Sequence, residues 1–453
     1  MPPAREDTRL DAGLAVPFNA HNVAPGATAA AAGPRMISHK RRMLAKGFPQ
    51  QTSSSTASHG FGLPTTPTGA SAKLGKAAAQ EVSSGKSDLQ ATSRLEFLAF
   101  YARIAGLLLI SIMIILVGLS AWPMIAPFHR GKWRTFIDQL ECLWVNALLW
   151  LLPATTLEMH GDFPTASSTP KLLICNHATD VDWIYQLMPM TVVNFGTTDL
   201  SGSVKIFLKQ EVKNIPIVGW GCALFEFVFL KRDWAVDRLR IENSLTRFCK
   251  DGGPITVILY PEGSTVNTRT LDKCRTFARV QGRPEFDLTL LPRVRGFAHI
   301  CETLAKHSPT GDVDVFDQTM AFDTYSGEVP DWEMGFKRNV DTGVPNFQTM
   351  FLGRASRRCH IDSRRFSYRQ LKQEYQDSLE NWLDERWARK ESLLREFIEH
   401  QQFDSLGAEP RLSVPVNGSI RRSLMAVTFY IAMWVGMAFT YSRYSADFSA
   451  FNL

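Results

Sequence analysis

A short apolar run passes directly into a polar turn in Leu172-Leu173-Ile174-Cys175-Asn176-His177-Ala178-Thr179-Asp180-Val181-Asp182-Trp183. Four apolar residues that end in a polar turn are typical of a buried strand, which delivers the side chains after it to the edge of a sheet. We expect a helix to follow through Leu187, with Thr179 or Asp180 as its cap. This strand–turn–helix unit predicts an α/β fold.

His177 and Asp182 stand five positions apart in this stretch. Because neighbours on one helical face are three or four residues apart, the two side chains meet only if His177 lies in the turn and Asp182 in the first turn of the helix. An imidazole held by a carboxylate can take a proton from a hydroxyl group, so the pair is a hypothesis for general-base catalysis. The alternative is a loop histidine beside a helix cap.

Strands and helices alternate between about residues 160 and 330, as in an α/β sheet with helices on its faces. A helix predicted from Trp234 to Lys250 ends at Gly252-Gly253, which are typical of a helix C-terminus. The predicted strands are 172–175, 204–208, 227–230, 255–260 and 288–291.

Each predicted strand ends in polar or basic residues, and ligands of open α/β sheets bind beyond the carboxyl ends of strands. Arg232 offers a planar fork for a phosphate group and Lys209 a point charge. Gly263 allows the backbone to approach a ligand closely. Taken singly, Arg232 could instead end a strand in solvent, and Glu262 could be an ordinary turn residue.

Two uncharged stretches predict membrane helices, namely Ile104–Trp122 and Leu424–Tyr441. The first lies too far from residue 1 for a cleaved signal peptide. Leu143–Leu152 is shorter, so we expect a returning helix, an interfacial helix or a buried core helix. Arg421 and Arg422 precede the last span and a single arginine follows it, which favours a cytosolic position for the preceding domain.

The composition outside these segments excludes several classes of protein. Residues 1–93 are rich in small and polar residues and predict a disordered tail, whose basic residues 39–42 either contact anionic lipid or are merely solvated. A net charge of +6 over 453 residues is too low and too dispersed to indicate nucleic-acid binding. The seven cysteines form no Cys-x-x-Cys pair, so we expect neither a disulfide framework nor a metal site.

The predicted organisation is therefore a tail (1–93), N-terminal membrane segments (94–155), a catalytic domain (156–405), and a linker with a membrane helix (406–453). From about Arg369 to His400 the spacing of apolar residues predicts a long amphipathic helix that packs on the domain. Trp382 and Trp387 in this helix could instead touch the bilayer interface.

Four ordered blocks resemble those of the glycerolipid acyltransferases, which include 1-acylglycerol-3-phosphate and lysocardiolipin acyltransferases. The blocks are Asn176-His177-x4-Asp182, Phe229–Arg232, Tyr260–Ser264 and Leu290–Arg293, and the resemblance covers roughly residues 95–400. It implies an acyltransferase-type mixed sheet between N-terminal and C-terminal membrane helices. It also implies acyl transfer from acyl-CoA to a lysophospholipid hydroxyl at the endoplasmic reticulum, with acyl-CoA as co-substrate and no other cofactor.

By the same resemblance His177 is the general base, and Asp182 holds its tautomer, with no metal and no covalent enzyme intermediate. The residues implied to bind or shape the substrate site are Asn176, Lys209, Arg232, Glu262, Gly263, Ser264 and Pro292.

One position departs from the family pattern. Thr265 stands where many members carry arginine, so Arg269, Lys209 or Arg275 must supply that contact, or the acceptor headgroup differs. Members without this arginine include enzymes that remodel lysocardiolipin or lysophosphatidylinositol. Transacylation without CoA is a further alternative. A catalytically silent lipid-binding scaffold is another, although the intact pair of His177 and Asp182 argues against it.

Overall fold

The computed structural model describes residues 94–192, 199–330, 343–376, 378–403 and 412–418, together with residues 424, 428 and 432. The predicted disordered tail lies outside these residues, and so does the predicted membrane helix 424–441 except for its three single positions. Both stay predictions.

Within this described part, eight strands form one mixed sheet in the order β4-β3-β5-β2-β6-β7-β1-β8. Strands β4, β3, β5, β2 and β6 run parallel, so their carboxyl ends share one edge of the sheet. β7 is antiparallel to β6 and parallel to β1, and β8 is antiparallel to β1. The strands are β1 (Thr155–Gly161), β2 (Lys171–Cys175), β3 (Val204–Lys209), β4 (Val228–Leu230), β5 (Thr256–Leu259), β6 (Asp314–Phe322), β7 (Arg358–Ser367) and β8 (Leu412–Val416).

Helices cover both faces of this sheet, and the predicted mixed α/β architecture is confirmed. They are α1 (Arg94–Ile125), α2 (Arg130–Leu151), α3 (Asp182–Val192), α4 (Val218–Leu224), α5 (Trp234–Asp251), α6 (Thr268–Gln281), α7 (Val294–His307), α8 (Phe347–Leu352), α9 (Tyr368–Tyr375) and α10 (Leu379–His400).

The central strand β2 is apolar throughout its last four residues because both of its faces are covered. Leu173 packs in one core cluster with residues of α2 and α3. Leu172 and Ile174 point to the other face, in a cluster with Phe248 of α5 and Phe297 of α7. A parallel strand buried on both sides needs a continuous apolar run instead of an alternating one.

The predicted strand at 288–291 is wrong. Its backbone N–H groups are taken by side-chain acceptors: Leu288 donates to the Glu391 carboxylate, Leu290 to Glu262 and Leu291 to the sulfur of Cys274. Without a neighbouring strand to accept these hydrogen bonds, the apolar residues pack as an irregular segment that leads into α7.

The two N-terminal apolar stretches lie in different surroundings. The stretch 104–122 is part of α1, which is long and apolar enough to cross a membrane. The stretch 143–152 belongs almost entirely to α2, where Val145 and Leu148 are buried in the core. Of the three alternatives for this shorter stretch, the buried core helix is the one observed.

The predicted amphipathic helix of 369–400 consists of two helices, α9 and α10, because the backbone turns to a positive φ at Gln376. Trp382 and Trp387 of α10 are only 2% and 0% exposed, so their alternative placement at a bilayer interface is wrong. Residues 412–416, expected to lie in a linker, instead form the edge strand β8 beside β1.

Candidate active site

His177 and Asp182 meet at the carboxyl end of β2. The Nδ1 atom of His177 lies 3.0 Å from Oδ2 of Asp182, which is fully buried and also accepts the backbone N–H of Thr179 at 3.0 Å. Burial raises the pKa of Asp182, and the hydrogen bonds from His177 and Thr179 oppose that rise. Because an ionised carboxylate only accepts, Nδ1 donates to it and Nε2 is left as the basic nitrogen.

The histidine ring is fixed on its other side by Tyr260, the first residue after β5. The two rings stack with centroids 4.3 Å apart and an angle of 20° between their planes. The His177 side chain keeps 22% of its surface exposed, toward a cavity at the sheet edge. The ring is therefore oriented by a carboxylate and an aromatic face, while one edge stays open to a ligand.

Asn176 does not face this cavity. Its side chain is 3% exposed and exchanges two hydrogen bonds with the backbone of Met320 in β6, at 2.9 and 3.0 Å. It thus ties the end of β2 to the neighbouring strand. In this position Asn176 holds the histidine turn in place and does not present a group to a substrate.

Glu262 is likewise turned inward, with 2% exposure. Its Oε1 atom accepts the backbone N–H of His177 and the indole N–H of Trp387, both at 3.2 Å, and Oε2 accepts the N–H of Leu290 at 3.1 Å. Burial raises the pKa of this carboxyl to about 7, against the effect of these donors. Glu262 thus joins β2, the 288–291 segment and α10 behind the pair of His177 and Asp182.

The cavity has a volume of about 540 Å³ and lies beyond the ends of β3, β4 and β5. Two of the predicted cations, Lys209 and Arg232, line it, together with Arg293 and Arg295. Its remaining wall is largely apolar and includes Phe207, Leu230, Leu259, Phe297 and Ile300. A cationic rim beside an apolar wall fits a ligand with both an anionic group and a hydrocarbon chain.

Gly263 lies in the wall of this cavity, as the sequence predicts. Its φ of +74° is a conformation that favours glycine, and a Cβ there would come within 3.3 Å of the Arg293 guanidinium. The glycine therefore lets Arg293 lie directly over the turn that follows β5.

The remaining predicted residues occupy supporting positions. Ser264 is half-buried next to the turn, and Pro292 is buried with its carbonyl accepting a hydrogen bond from Arg283 at 3.0 Å. Three cations could supply the contact that the family's arginine makes where this chain has Thr265. Of these, only Lys209 lines the cavity. Arg275 pairs with Asp287, and Arg269 is exposed on α6.

Sequence reasoning did not assign site roles to Arg293, Arg295 or Trp387. Arg293 ends the block Leu290–Arg293 and Arg295 follows it by two positions, so the charge of both was a usable signal. Trp387 gave no such signal, because its contact with Glu262 spans 125 positions of the chain.

Replacing Glu262 with glutamine tests its buried charge. The pKa of Glu262 in the folded state lies above the ordinary value of 4.5, so the folded state keeps this proton to a higher pH than the unfolded state does. Ionisation of Glu262 therefore destabilises the fold increasingly as pH rises from about 4.5 to about 7. Between about pH 5.5 and pH 8 this amounts to about 2 kcal/mol. We expect the unfolding midpoint of Glu262→Gln to depend less on pH than that of the unsubstituted protein. Glu285→Gln, at an exposed position, is the control, and equal slopes for all three proteins would contradict the assignment.

Comparison with known proteins agrees with this geometry. Residues 156–321 match the family described as Acyltransferase, and residues 349–434 match Acyltransferase C-terminus. Every predicted site residue lies in the first match.

Three relatives illustrate the similarity. Lysophosphatidylinositol acyltransferase 10 of Caenorhabditis elegans is 27% identical over 277 residues, which cover 60% of this chain and 65% of that protein. Lysocardiolipin acyltransferase 1 of Danio rerio is 28% identical over 281 residues, 61% of this chain and 65% of its own length. The probable 1-acyl-sn-glycerol-3-phosphate acyltransferase 5 of Arabidopsis thaliana is 28% identical over 242 residues, 52% of this chain and 56% of its own. The matched regions thus span 65% or less of these relatives.

Proposed function

Because residues 156–321 match the Acyltransferase family and similar proteins are named as lysolipid acyltransferases, we propose that this chain transfers an acyl group from acyl-CoA to the free hydroxyl of a lysophospholipid, in phospholipid synthesis or remodelling. The observation that carries this proposal is the 3.0 Å contact of His177 with Asp182 at a cavity that combines cations with an apolar wall. The acceptor is 1-acylglycerol-3-phosphate, which would give phosphatidic acid, or a related lysolipid.

The reaction follows from the orientation of the histidine. Nε2 of His177 takes the proton of the acceptor hydroxyl as its oxygen attacks the thioester carbonyl of acyl-CoA. A C–O bond forms, the C–S bond breaks, and the proton passes from His177 to the leaving thiolate of CoA. Asp182 stabilises the imidazolium formed on the way, because its carboxylate lies at Nδ1. Acyl-CoA is a co-substrate here, and the steps need no further cofactor.

Arg232, Arg293, Arg295 and Lys209 supply the charge for the anionic groups of both substrates. The acyl chain has an apolar wall to lie against. Thr265, which stands where many family members have arginine, favours an acceptor headgroup other than a bare phosphate. Remodelling of lysocardiolipin or lysophosphatidylinositol is therefore the second candidate, and relatives with those names are among the similar proteins.

Replacing Arg293 with alanine should raise KM for the lysolipid by about tenfold or more, since a hydrogen bond to a charged group contributes about 1.5–3 kcal/mol. The measurement is initial rate against lysolipid concentration in mixed micelles. Arg275→Ala is the matched control, because Arg275 pairs with Asp287 and does not line the cavity. Equal changes in KM for the two variants would rule out a specific role for Arg293.

A single assay distinguishes the three classes of function. The purified full chain is given labelled acyl-CoA and a panel of lysolipids with different headgroups, and in parallel a labelled donor phospholipid without CoA. Product from acyl-CoA alone supports the proposal, and product from the donor phospholipid indicates a transacylase. A folded protein that yields neither product would be a silent scaffold.

The proposal includes a location. We place the protein in the endoplasmic reticulum membrane with the catalytic domain on the cytosolic side. The apolar helix α1 supports membrane association, and the arginine pair 421–422 before the second apolar stretch supports the orientation. Its partners there would be membrane lipids.

A further inference from the structure

A second apolar surface lies close to the cavity, on the segment between β3 and β4. Ile215, Val218 and Trp220 are 48%, 44% and 58% exposed. We call these three side chains the 215–220 patch. Three large apolar side chains exposed within six positions are typical of a surface that contacts a membrane or another protein.

Two of the three side chains of the patch lie in the closely packed first turn of helix α4, and Ile215 lies just before it. Gly219, between Val218 and Trp220, is buried so tightly that a Cβ would come within 2.3 Å of the Lys213 carbonyl oxygen. The backbone there cannot move inward, and the large side chains on either side are presented outward by the first turn of α4.

The same segment packs against α1 on its other side. Leu224 of α4 fills the space over Gly118, where a Cβ would come within 2.6 Å of it, and a Cβ at Gly221 would lie 3.9 Å from the Ile115 side chain. Beyond these contacts the outer face of α1 exposes Leu116 and Leu119 at 56% and 62%. The patch therefore adjoins the exposed apolar face of the helix that is long and apolar enough for a membrane.

Helix α1 is also fastened to the domain near its start. Glu96 pairs with Arg354 at 2.8 Å, and Arg103 donates to the carbonyl of Phe351 at 2.7 Å. From Glu96 to Gly118 the helix is about 33 Å long, so it contacts the domain along most of its length. Because α1 is attached in this way, its exposed outer side and the 215–220 patch belong to the same surface of the domain.

We propose that the 215–220 patch inserts into the boundary between headgroups and acyl chains of a phospholipid bilayer, continuous with the outer face of α1. The charges around it fit an anionic leaflet, because exposed cations outnumber exposed acids between positions 209 and 233. The exposed cations are Lys209, Lys213, Lys231 and Arg232, and the exposed acids are Glu211 and Asp233.

Insertion at this point positions the cavity. The segment that carries the patch starts directly after Lys209 and leads into β4 and Arg232, and both of these cations line the cavity. A lipid could then present its headgroup to the cavity while its chains remain near the bilayer. Membrane insertion of the patch does not depend on the proposed acyl transfer, so the two can fail separately.

The test measures depth in the membrane at single positions of the full chain. W220C is labelled with an environment-sensitive fluorophore and reconstituted into vesicles of phosphatidylcholine with phosphatidylserine, with or without lipids that carry a nitroxide on the acyl chain. K372C is the control, since Lys372 is exposed on α9 at the opposite edge of the sheet. The unsubstituted chain, labelled in the same way, gives the contribution of the native cysteines.

We expect the probe at 220 to lose at least about half of its emission to the nitroxide lipids, as a group buried about 5–10 Å into the interface would, while the probe at 372 loses little. In the double variant I215C/W220D the probe is at position 215 and Trp220 is replaced by aspartate. This probe should not be quenched by the nitroxide lipids. Equal quenching at 220 and 372 would overturn the proposal. So would an unquenched probe at 220 that cross-links to a second copy of the chain, because the patch would then be a dimer interface.

Discussion

Replacing His177 with alanine should reduce acyl transfer by about 10²–10⁴-fold, the range that a positioned general base contributes. The loss should appear in kcat, because the proposed proton transfer to Nε2 of His177 occurs in the transition state, whereas the cations proposed to bind substrate are unchanged. The measurement is product formation from labelled acyl-CoA and the lysolipid that the unsubstituted protein uses best.

The control for this variant is His307→Ala, which removes a half-buried histidine at the end of α7, outside the cavity lining. Far-ultraviolet circular dichroism and the unfolding midpoint should show that both variants are folded. If folded His177→Ala keeps activity within about threefold of the unsubstituted protein, the assigned base is wrong, since the range above starts at about a hundredfold.

Replacing Asp317 with asparagine should cost about 3–5 kcal/mol of folding free energy, the effect of removing one partner of a buried ion pair. Asp317 of β6 is fully buried, with Oδ1 2.5 Å from Nζ of Lys390 and Oδ2 2.7 Å from Nε of Arg386. Burial alone would raise the pKa of Asp317, yet the two cations of α10 lower it. Asparagine leaves Lys390, itself 0% exposed, without its counter-charge.

This loss should lower the unfolding midpoint by about 6–20 °C, on the usual scale of about 2–4 °C per kcal/mol for a domain of this size. Asp272→Asn, at an exposed position of α6, is the control and should shift it by no more than about 2 °C. The double variant D317N/K390M should recover part of the loss. Because the folded-state pKa of Asp317 is lowered, its stabilising effect is present above the ordinary pKa and is lost as pH falls. A single variant as stable as the control would contradict the described network.

The ion pairs of Asp317 also connect the stability of the fold with the candidate site. Lys390 and Trp387 belong to the same turn of α10, and Trp387 donates to the carboxylate of Glu262 behind His177. A change that loosens α10 from β6 should therefore disturb the histidine turn as well. Sequence reasoning predicted that this helix packs on the domain, but its link to the histidine depends on contacts more than a hundred residues apart.

The sequence by itself was enough to predict the elements whose residue pattern lies within one short stretch of the chain. The apolar run before Asn176 predicted β2, and the order of polar blocks after successive strands predicted that His177, Lys209, Arg232 and Gly263 share one edge of a sheet. Parallel strands bring their carboxyl ends together whatever their exact order, so these predictions needed no knowledge of the strand order.

Only the tertiary structure decided which residues face the cavity and which support it. Asn176 and Glu262 stand in the same blocks as the cavity residues, yet both are buried and bonded to backbone of other segments. The segment 288–291 has the composition of a strand, but it has side-chain acceptors where a strand would have a neighbour. The physical reason is that a hydrogen-bond partner is chosen by proximity in space, and the sequence records only which groups are able to bond.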